Sequence, residues 1–299
     1  MTQDNPFGSI PFVRGSTKVI GVFGHPVTHS LSPAMHNAAL AALGLPFIYV
    51  PFPVTPEGLG AALGALSALG IVGVNLTIPH KEAALPFLDE ITQEARDVGA
   101  INTVHCRDYR LVGDNTDGFG FYEPLREAGY AVAGREAVVL GAGGAARSVA
   151  FRLAREGARL CLINRTHDRA VRLAQALADA GLDTGGITAL APDDPAVEGA
   201  LSRAALLVNT TRVGMVPEHL APPPVPAQWL HADLLVYDLV YNPIETELLK
   251  QARKRGCRTL TGVKMLVYQG AAAFQRWTGH WPPTDIMEAA VLRGLEDRC

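Results

Sequence analysis

Features that would mark a metal-dependent, secreted or nucleic-acid-binding protein are missing from this sequence. Its four cysteines, Cys106, Cys161, Cys257 and Cys299, stand far apart, and none falls in a Cys-x-x-Cys pair or a His/Cys cluster with metal-ligand spacing. Reduced, buried thiols are therefore expected, with no metal. No basic run interleaved with aromatics occurs, and a formal charge of −3 over 299 residues is near balance, which argues against nucleic acid or an anionic membrane as partner. No apolar run approaches the roughly 18 residues of a membrane span. The segment from Met1 to Ser16 lacks the charged-then-apolar layout of a secretion signal. A cytoplasmic protein acting on a small molecule is expected. An apolar fraction of 48% suits a globular chain, and the length allows two ordinary domains.

What is present is organised around Val74-Asn75-Leu76-Thr77-Ile78-Pro79-His80-Lys81, an apolar run that halts at a proline and places a lysine just beyond it. Before it, Lys18 to Gly24 is nearly continuous in apolar residues and reads as a strand buried on both faces. The following turn, Gly24 to Pro33, puts Ser30 and Ser32 ahead of an Ala-rich helix, Ala34 to Leu43. Ser32 before Pro33 also reads as a plain helix N-cap. Because a helix N-terminus after a parallel strand favours an anion, a ligand carboxylate is the other reading. Strands at Phe47–Val54 and Ile71–Thr77 enclose a helix at Glu57–Leu69, and the β-α-β-α-β alternation predicts a doubly wound sheet with ligands at the carboxyl ends of its strands. Ser30, Thr77 and Lys81 all lie at such ends, although a solvated lysine in a first helical turn fits Lys81 as well. Glu90 to Val98 reads as a helix, followed by two short strands broken near Arg107-Asp108. Asn102 could be a turn residue, and Asp117 could cap the helix that runs from Phe121 to Ala128.

The second half opens with a strand at Ala137–Leu140 and then Gly141-Ala142-Gly143-Gly144-Ala145-Ala146-Arg147, a helix to Glu156 and a strand at Arg159–Ile163. Gly141, Gly143 and Ala146 fall between strand and helix in a unit of about 30 residues, the context that pyrophosphate binding requires. At the end of the next strand an acid would bond the ribose of NAD, but the chain reads Asn164-Arg165-Thr166-His167-Asp168-Arg169. Two guanidinium groups there match a 2′-phosphate by charge and fork geometry, which favours NADP. Ala170 to Ala180 reads as a helix, Thr184 to Pro195 as a polar Gly-rich stretch, and Leu220 to Pro226 as a proline-rich surface loop. Strands are predicted at Ala205–Asn209, Leu234–Val240 and near Thr259, then a helix carrying Gln269 and a last helix at Ile286–Leu295.

Taken in order and spacing, Gly24 to Pro33, Asn75 to Lys81, Ala100 to Thr103, Gly113 to Gly118, Gly141 to Arg147, Asn164 to Thr166 and Gly262 to Gln269 closely resemble the shikimate dehydrogenase family, from about residue 18 to the C-terminus. The resemblance implies an α/β chain of two domains with a cleft between them. One is a mostly parallel α/β substrate domain, residues 1–116 completed by 262–299, and the other a Rossmann domain for NADP(H), residues 117–261. It implies an NADP-dependent oxidoreductase acting on a CH–OH group, which reversibly reduces 3-dehydroshikimate to shikimate in the pathway to aromatic amino acids. Carried over by position, Ser30 and Ser32 hold the substrate carboxylate with help from Tyr241. Thr77, Asn102, Asp117 and Gln269 reach the ring hydroxyls, and Lys81 with Asp117 forms the catalytic pair. Gly141, Ala142, Gly143, Gly144 and Ala145, continuing to Arg147, take the cofactor together with Asn164, Arg165, Thr166 and Arg169, while Met215 and Gly262 lie near the nicotinamide. A homodimer is the assembly to consider. Arg212 stands where the family usually has a small residue or proline before its apolar-Gly-Met, which leaves the shape of that loop open.

These roles make chemical sense. A carbonyl that receives hydride develops negative charge on oxygen, and an ammonium at hydrogen-bond distance both stabilises that charge and delivers the proton. In the oxidation direction a neutral lysine is the base, so activity is expected to rise towards alkaline pH. Two rival readings are an NAD-preferring quinate/shikimate dehydrogenase, which Arg165 in place of an acid argues against, and a non-catalytic metabolite-binding protein, which could lose Lys81 or Asp117 without penalty.

Overall fold

A computed structural model describes residues 13–182, 186–216 and 222–297. Its first half is built on the apolar strand β1 (Lys18–Gly24), buried from Ile20 onward. Then follow α1 (Ser32–Ala42), β2 (Phe47–Pro53), α2 (Leu59–Ala65), β3 (Ile71–Leu76), α3 (His80–Ala83), β4 (Glu90–Ile91), α4 (Gln93–Val98), β5 (Thr103–Arg107) and β6 (Arg110–Asp114). The sheet order is β2-β1-β3-β5-β6-β4. β2 and β3 flank β1 in parallel, β4 pairs β6 in parallel, and β5 runs antiparallel to both β3 and β6. β5 and β6 are joined through Asp108 and Tyr109, both at positive φ, as a tight hairpin turn requires.

After α5 (Asp117–Glu127), a second sheet is assembled from β7 (Glu136–Leu140), α6 (Gly144–Arg155), β8 (Arg159–Ile163), α7 (His167–Asp179), β9 (Ile187–Leu190), α8 (Ala196–Arg203), β10 (Leu206–Asn209), β11 (Leu235–Asp238), α9 (Glu247–Lys254) and β12 (Arg258–Thr261). Its order is β12-β11-β10-β7-β8-β9, parallel throughout, with the chain reversing direction across the sheet between β7 and β10. That is the doubly wound arrangement whose ligands sit at the carboxyl ends beside the reversal.

Two long helices close the described chain, α10 (Gly262–Thr278) and α11 (Thr284–Glu296). They return to the first sheet: Val263, Val267, Phe274, Met287 and Val291 pack with Ile20, Val22 and Met35 on one face, while Leu59 and Leu63 of α2 and Leu66 just after it cover the other. α10 also sends Met265 into the core of the second sheet, against the side covered by α5, α6 and α7. Gly120 of α5 makes the crossing with α10 tight, since a Cβ there would lie 2.5 Å from the backbone nitrogen of Gln269.

Three local expectations need correction. Glu90–Val98 is not one helix: Glu90 and Ile91 pair with β6, and α4 begins only after Thr92, whose side chain accepts from the Ala95 N–H as N-cap. The stretch from Thr184 to Pro195 contains β9, an edge strand too short and too exposed to show a period, and α8 follows it unpredicted. Ser32 does not cap α1. It is the first helical residue, and the Ser32 N–H is taken by Ser30 Oγ at 3.2 Å. Met1 to Phe12, Cys299, and parts of the Thr184–Pro195 and Leu220–Pro226 segments lie outside the described residues. Cys106, Cys161 and Cys257 are free thiols. Among the described residues no helix is long and apolar enough to cross a membrane, and no cluster of His, Cys, Asp and Glu could hold a metal ion.

Candidate active site

The carboxyl ends of β1, β2 and β3 lie in register, Gly24 beside Pro53 and Phe23 beside Leu76. The turns that leave them are therefore neighbours. Thr77 N–H donates to Phe23 O at 2.9 Å and His25 N–H to Ile78 O at 3.1 Å, which brings the Ser30 turn beside the Lys81 turn. Gly24 permits this approach, because a Cβ there would sit 2.5 Å from Thr77 Cγ2. Across β3, Leu76 N–H bonds Asn102 O at 2.8 Å and Ile101 N–H bonds Lys81 O at 2.7 Å, so the residues before β5 are tied to the one-turn helix that carries the lysine.

Lys81, Asn102, Asp117 and Gln269 meet in one cluster. Lys81 Nζ is hydrogen-bonded and ion-paired to Asp117 Oδ2. The Asp117 side chain is 4% exposed and that of Lys81 20%, so the lysine keeps some access to solvent while its partner is buried. Asn102 Nδ2 donates to Asp117 Oδ1 at 2.8 Å and lies 3.2 Å from Gln269 Oε1. The Asp117 N–H is taken by Asn115 Oδ1 at 3.0 Å, and Asn115 in turn accepts from Ser148 Oγ of α6 at 3.1 Å. Asn102 is 1% exposed and its amide makes six polar contacts with Thr103, Thr116, Asp117 and Gln269, far from the behaviour of a turn residue. Such a buried network fixes the orientation of each member.

Ser30 and Ser32 stand at the mouth of α1, Ser32 buried and Ser30 half-buried. Thr77 is half-buried at the end of β3, and Tyr241, also half-buried, packs against the core beneath α1 and α10.

The glycine-rich turn approaches from the second sheet. Gly141 has φ +113°, and a Cβ there would overlap Thr210 Oγ1, so both backbone and space require glycine. Above Gly143 the space is open within 4 Å, and no side chain caps the N-terminus of α6. A twelve-residue helix with unclaimed N–H groups, entered through glycines under open space, fits a dinucleotide pyrophosphate. Gly144 lies against the lysine: a Cβ there would be 3.3 Å from Lys81 Cβ. Ala142 is buried and Ala145 half-buried on the same turn. Arg147 turns away from it. Its Nε donates to Val98 O, and burial holds its guanidinium below the usual range, with Glu82 opposing that shift.

Arg165 and Thr166 are exposed at the start of α7, Asn164 Nδ2 bonds Thr166 O at 2.8 Å, and Arg169 lies 3.6 Å from Glu82, the residue after Lys81. The loop through Arg212 forms a turn: Met215 N–H donates to Arg212 O at 3.0 Å, Gly214 takes φ +92°, and the Arg212 side chain is exposed. Gly262 is required at the start of α10, where any Cβ would overlap Leu239 O.

Sequence reasoning gave no role to the residues that hold this frame. Asn209, Asp238 and Thr246 form a buried chain: Asn209 Nδ2 to Asp238 Oδ1 at 2.9 Å and Thr246 Oγ1 to Asp238 Oδ2 at 2.6 Å. Asn209 also accepts from Thr211 Oγ1 at 2.7 Å and so sets the loop that leads to Met215. The one available signal was an acid and an amide ending two otherwise apolar strands.

The sequence matches the family description "Shikimate dehydrogenase substrate binding domain" over residues 22–104 and "Shikimate 5'-dehydrogenase C-terminal domain" over residues 262–292. A protein of Moorella thermoacetica, named shikimate dehydrogenase (NADP(+)), is 50% identical over 284 residues, 95% of each chain. A crystal structure of a shikimate dehydrogenase in complex with NADP+ superposes with a TM-score of 0.89 at 41% identity, covering 97% of this chain and 99% of that one. The Thermus thermophilus shikimate 5-dehydrogenase, solved with NADP(H) and shikimate, gives a TM-score of 0.83 at 42% identity over 93% of this chain and 100% of that one. With this fold, a lysine–aspartate pair at the meeting of two sheets and relatives of this closeness, the chain belongs to the shikimate dehydrogenase family.

Proposed function

We propose that Lys81 and Asp117 are the catalytic pair of this enzyme, and that the substrate lies over them between the Ser30 turn and α10. The chain is an NADP-dependent shikimate dehydrogenase, an oxidoreductase of aromatic amino acid biosynthesis that interconverts 3-dehydroshikimate and shikimate. The observation that carries the site assignment is the Lys81–Asp117 pair, partly open on the lysine side and fixed on the acid side by Asn102. Bound NADPH supplies the hydride. Lys81 donates its proton to the carbonyl oxygen as charge develops there, and Asp117, in contact with Nζ, keeps the ammonium aimed. In the reverse direction Lys81 takes the hydroxyl proton. Asn102 and Gln269 offer amide groups to the ring hydroxyls beside Lys81, with Thr77 at the neighbouring strand end, and Ser30, Ser32 and Tyr241 take the carboxylate. Gly141 to Ala145 hold the pyrophosphate, Asn164, Arg165, Thr166 and Arg169 the adenosine end, and Met215 and Gly262 border the nicotinamide. On this reading residues 1–116 with 262–299 form the substrate domain and 117–261 the cofactor domain.

The free thiols Cys106, Cys161 and Cys257 support a cytoplasmic setting, and a homodimer is part of this reading, to be checked by light scattering. A steady-state assay of shikimate and quinate, each with NADP and NAD, tests the function. Shikimate with NADP is expected to give the highest kcat/KM. A preference for quinate with NAD would overturn the substrate and cofactor assignment together.

A further inference from the structure

One buried hydroxyl is tied to the ring-hydroxyl end of the proposed substrate pocket without lining it. Tyr49, on β2, is 1% exposed. Its OH donates to Asn75 Oδ1 at 2.8 Å, and Asn75 Nδ2 donates onward to Asn102 O at 3.1 Å and Thr103 Oγ1 at 3.2 Å. Asn102 is the residue that holds Asp117. Burial pushes the ionisation of the phenol well above the ordinary tyrosine value, so it keeps its proton at working pH and stays a donor to Asn75. The ring cannot swing away. His36 stacks on it at 4.2 Å and 4°, and Trp277 of α10 closes the other approach at 6.1 Å. Asn37 fixes the strand itself, exchanging two bonds with the Tyr49 backbone at 2.8 and 2.9 Å.

We propose that Tyr49 is a positioning residue for the reaction. Its hydroxyl fixes Asn75 and, through it, Asn102 beside Asp117, so that the ring-hydroxyl end of the pocket is held at a fixed place relative to Lys81. The proposal rests on the functional reading above. It separates two uses of the same ring: the aromatic body fills the core, and the oxygen sets the site.

Tyr49→Phe removes the oxygen and keeps the body. Losing one bond and leaving Asn75 Oδ1 unpaired is expected to lower kcat/KM for shikimate by about 5- to 50-fold, mainly through KM, with the dissociation constant of NADP unchanged. The Tyr49–Asn75 bond is one link, so changes at its two ends are not expected to add. Asn75→Ala cuts that link from the far side, and adding it to Tyr49→Phe should lower kcat/KM little further. Wild-type shikimate kinetics in Tyr49→Phe would overturn the proposal, as would losses that simply multiply with Asn75→Ala or a parallel weakening of NADP. Should Tyr49→Phe fold poorly, wild-type kinetics in Asn75→Ala overturns it alone. A wild-type enzyme inert towards shikimate would instead refute the functional reading, so the two failures are distinguishable.

Discussion

Ser30 and Ser32 show how far single residues could be read. Two hydroxyls before a helix suggested a cap at Ser32 and a ligand group at Ser30, but the structure gives the local bond to Ser30, whose Oγ accepts from the Ser32 N–H, and buries Ser32. Ser30→Ala is therefore expected to cost about 0.5–1.5 kcal/mol of stability as well as raising the KM for shikimate. A melting temperature equal to wild type with a raised KM would leave Ser30 as a ligand group alone. The capping reading failed because side-chain direction is invisible in a one-dimensional pattern: both serines fit the composition of a helix start. Arg165 and Arg169 were legible as a pair, yet they differ. Arg165 is exposed, whereas Arg169 already faces Glu82 at 3.6 Å. Arg165→Ala is expected to remove a charged hydrogen bond of about 1.5–3 kcal/mol, weakening NADP by roughly 10- to 150-fold and leaving NAD nearly unchanged. Equal weakening of both cofactors, measured as KM side by side, would mean that the arginine shapes its loop and does not read the phosphate.

At the scale of elements, the strands that are apolar throughout were legible to within a residue or two, β1, β3 and β7 among them, because burial on both faces leaves little room for any other pattern. What escaped were elements whose partner lies far along the chain. β4 is two residues long and exists only because β6 is beside it, and β9 is an edge strand with a half-exposed face. The network around Asn102 was legible as a motif but not as a network, since Gln269 reaches it from 167 positions away on α10. The same distance hid His36. It sits on α1 in a recurrent apolar helix face, and its ring is fully buried between Tyr49 and Phe274. Burial lowers its pKa from the ordinary 6.5 to about 3. A depressed folded pKa means that its contribution to stability is complete above about pH 6.5 and is lost as the pH falls towards 3, where the unfolded chain binds a proton that the folded chain refuses. Between pH 7.5 and 4.5 the wild type should lose about 2–3 kcal/mol more than His36→Phe, which keeps a ring and cannot titrate. Urea denaturation at the two pH values checks this, and parallel losses in both proteins would show that His36 is not the acid-sensitive group.

For the whole molecule, the two sheets are independent in topology and joined by a few elements. α10 leaves the end of β12, packs on the first sheet and crosses α5 at Gly120, so the chain that completes the substrate side is anchored in the cofactor side. Lys81 sits at this junction, its stem against Gly144 of the cofactor turn and its head on Asp117. A resemblance of seven ordered motifs was enough to anticipate the two halves and the family, whereas the register that sets these contacts could only come from the folded chain. Asp117→Asn should slow turnover, and its combination with a change at Lys81 should lose less than the product of the two, because groups that act as one unit are not additive. The most direct measurement is turnover of Lys81→Met at saturating shikimate and NADP, alongside the affinity for NADPH. Methionine keeps the bulk of the stem and removes the proton. The account predicts a fall of about 10²- to 10⁴-fold with NADPH affinity retained. Turnover near the wild-type rate would contradict it, and the Lys81–Asp117 pair would then be a contact between two sheets and nothing more.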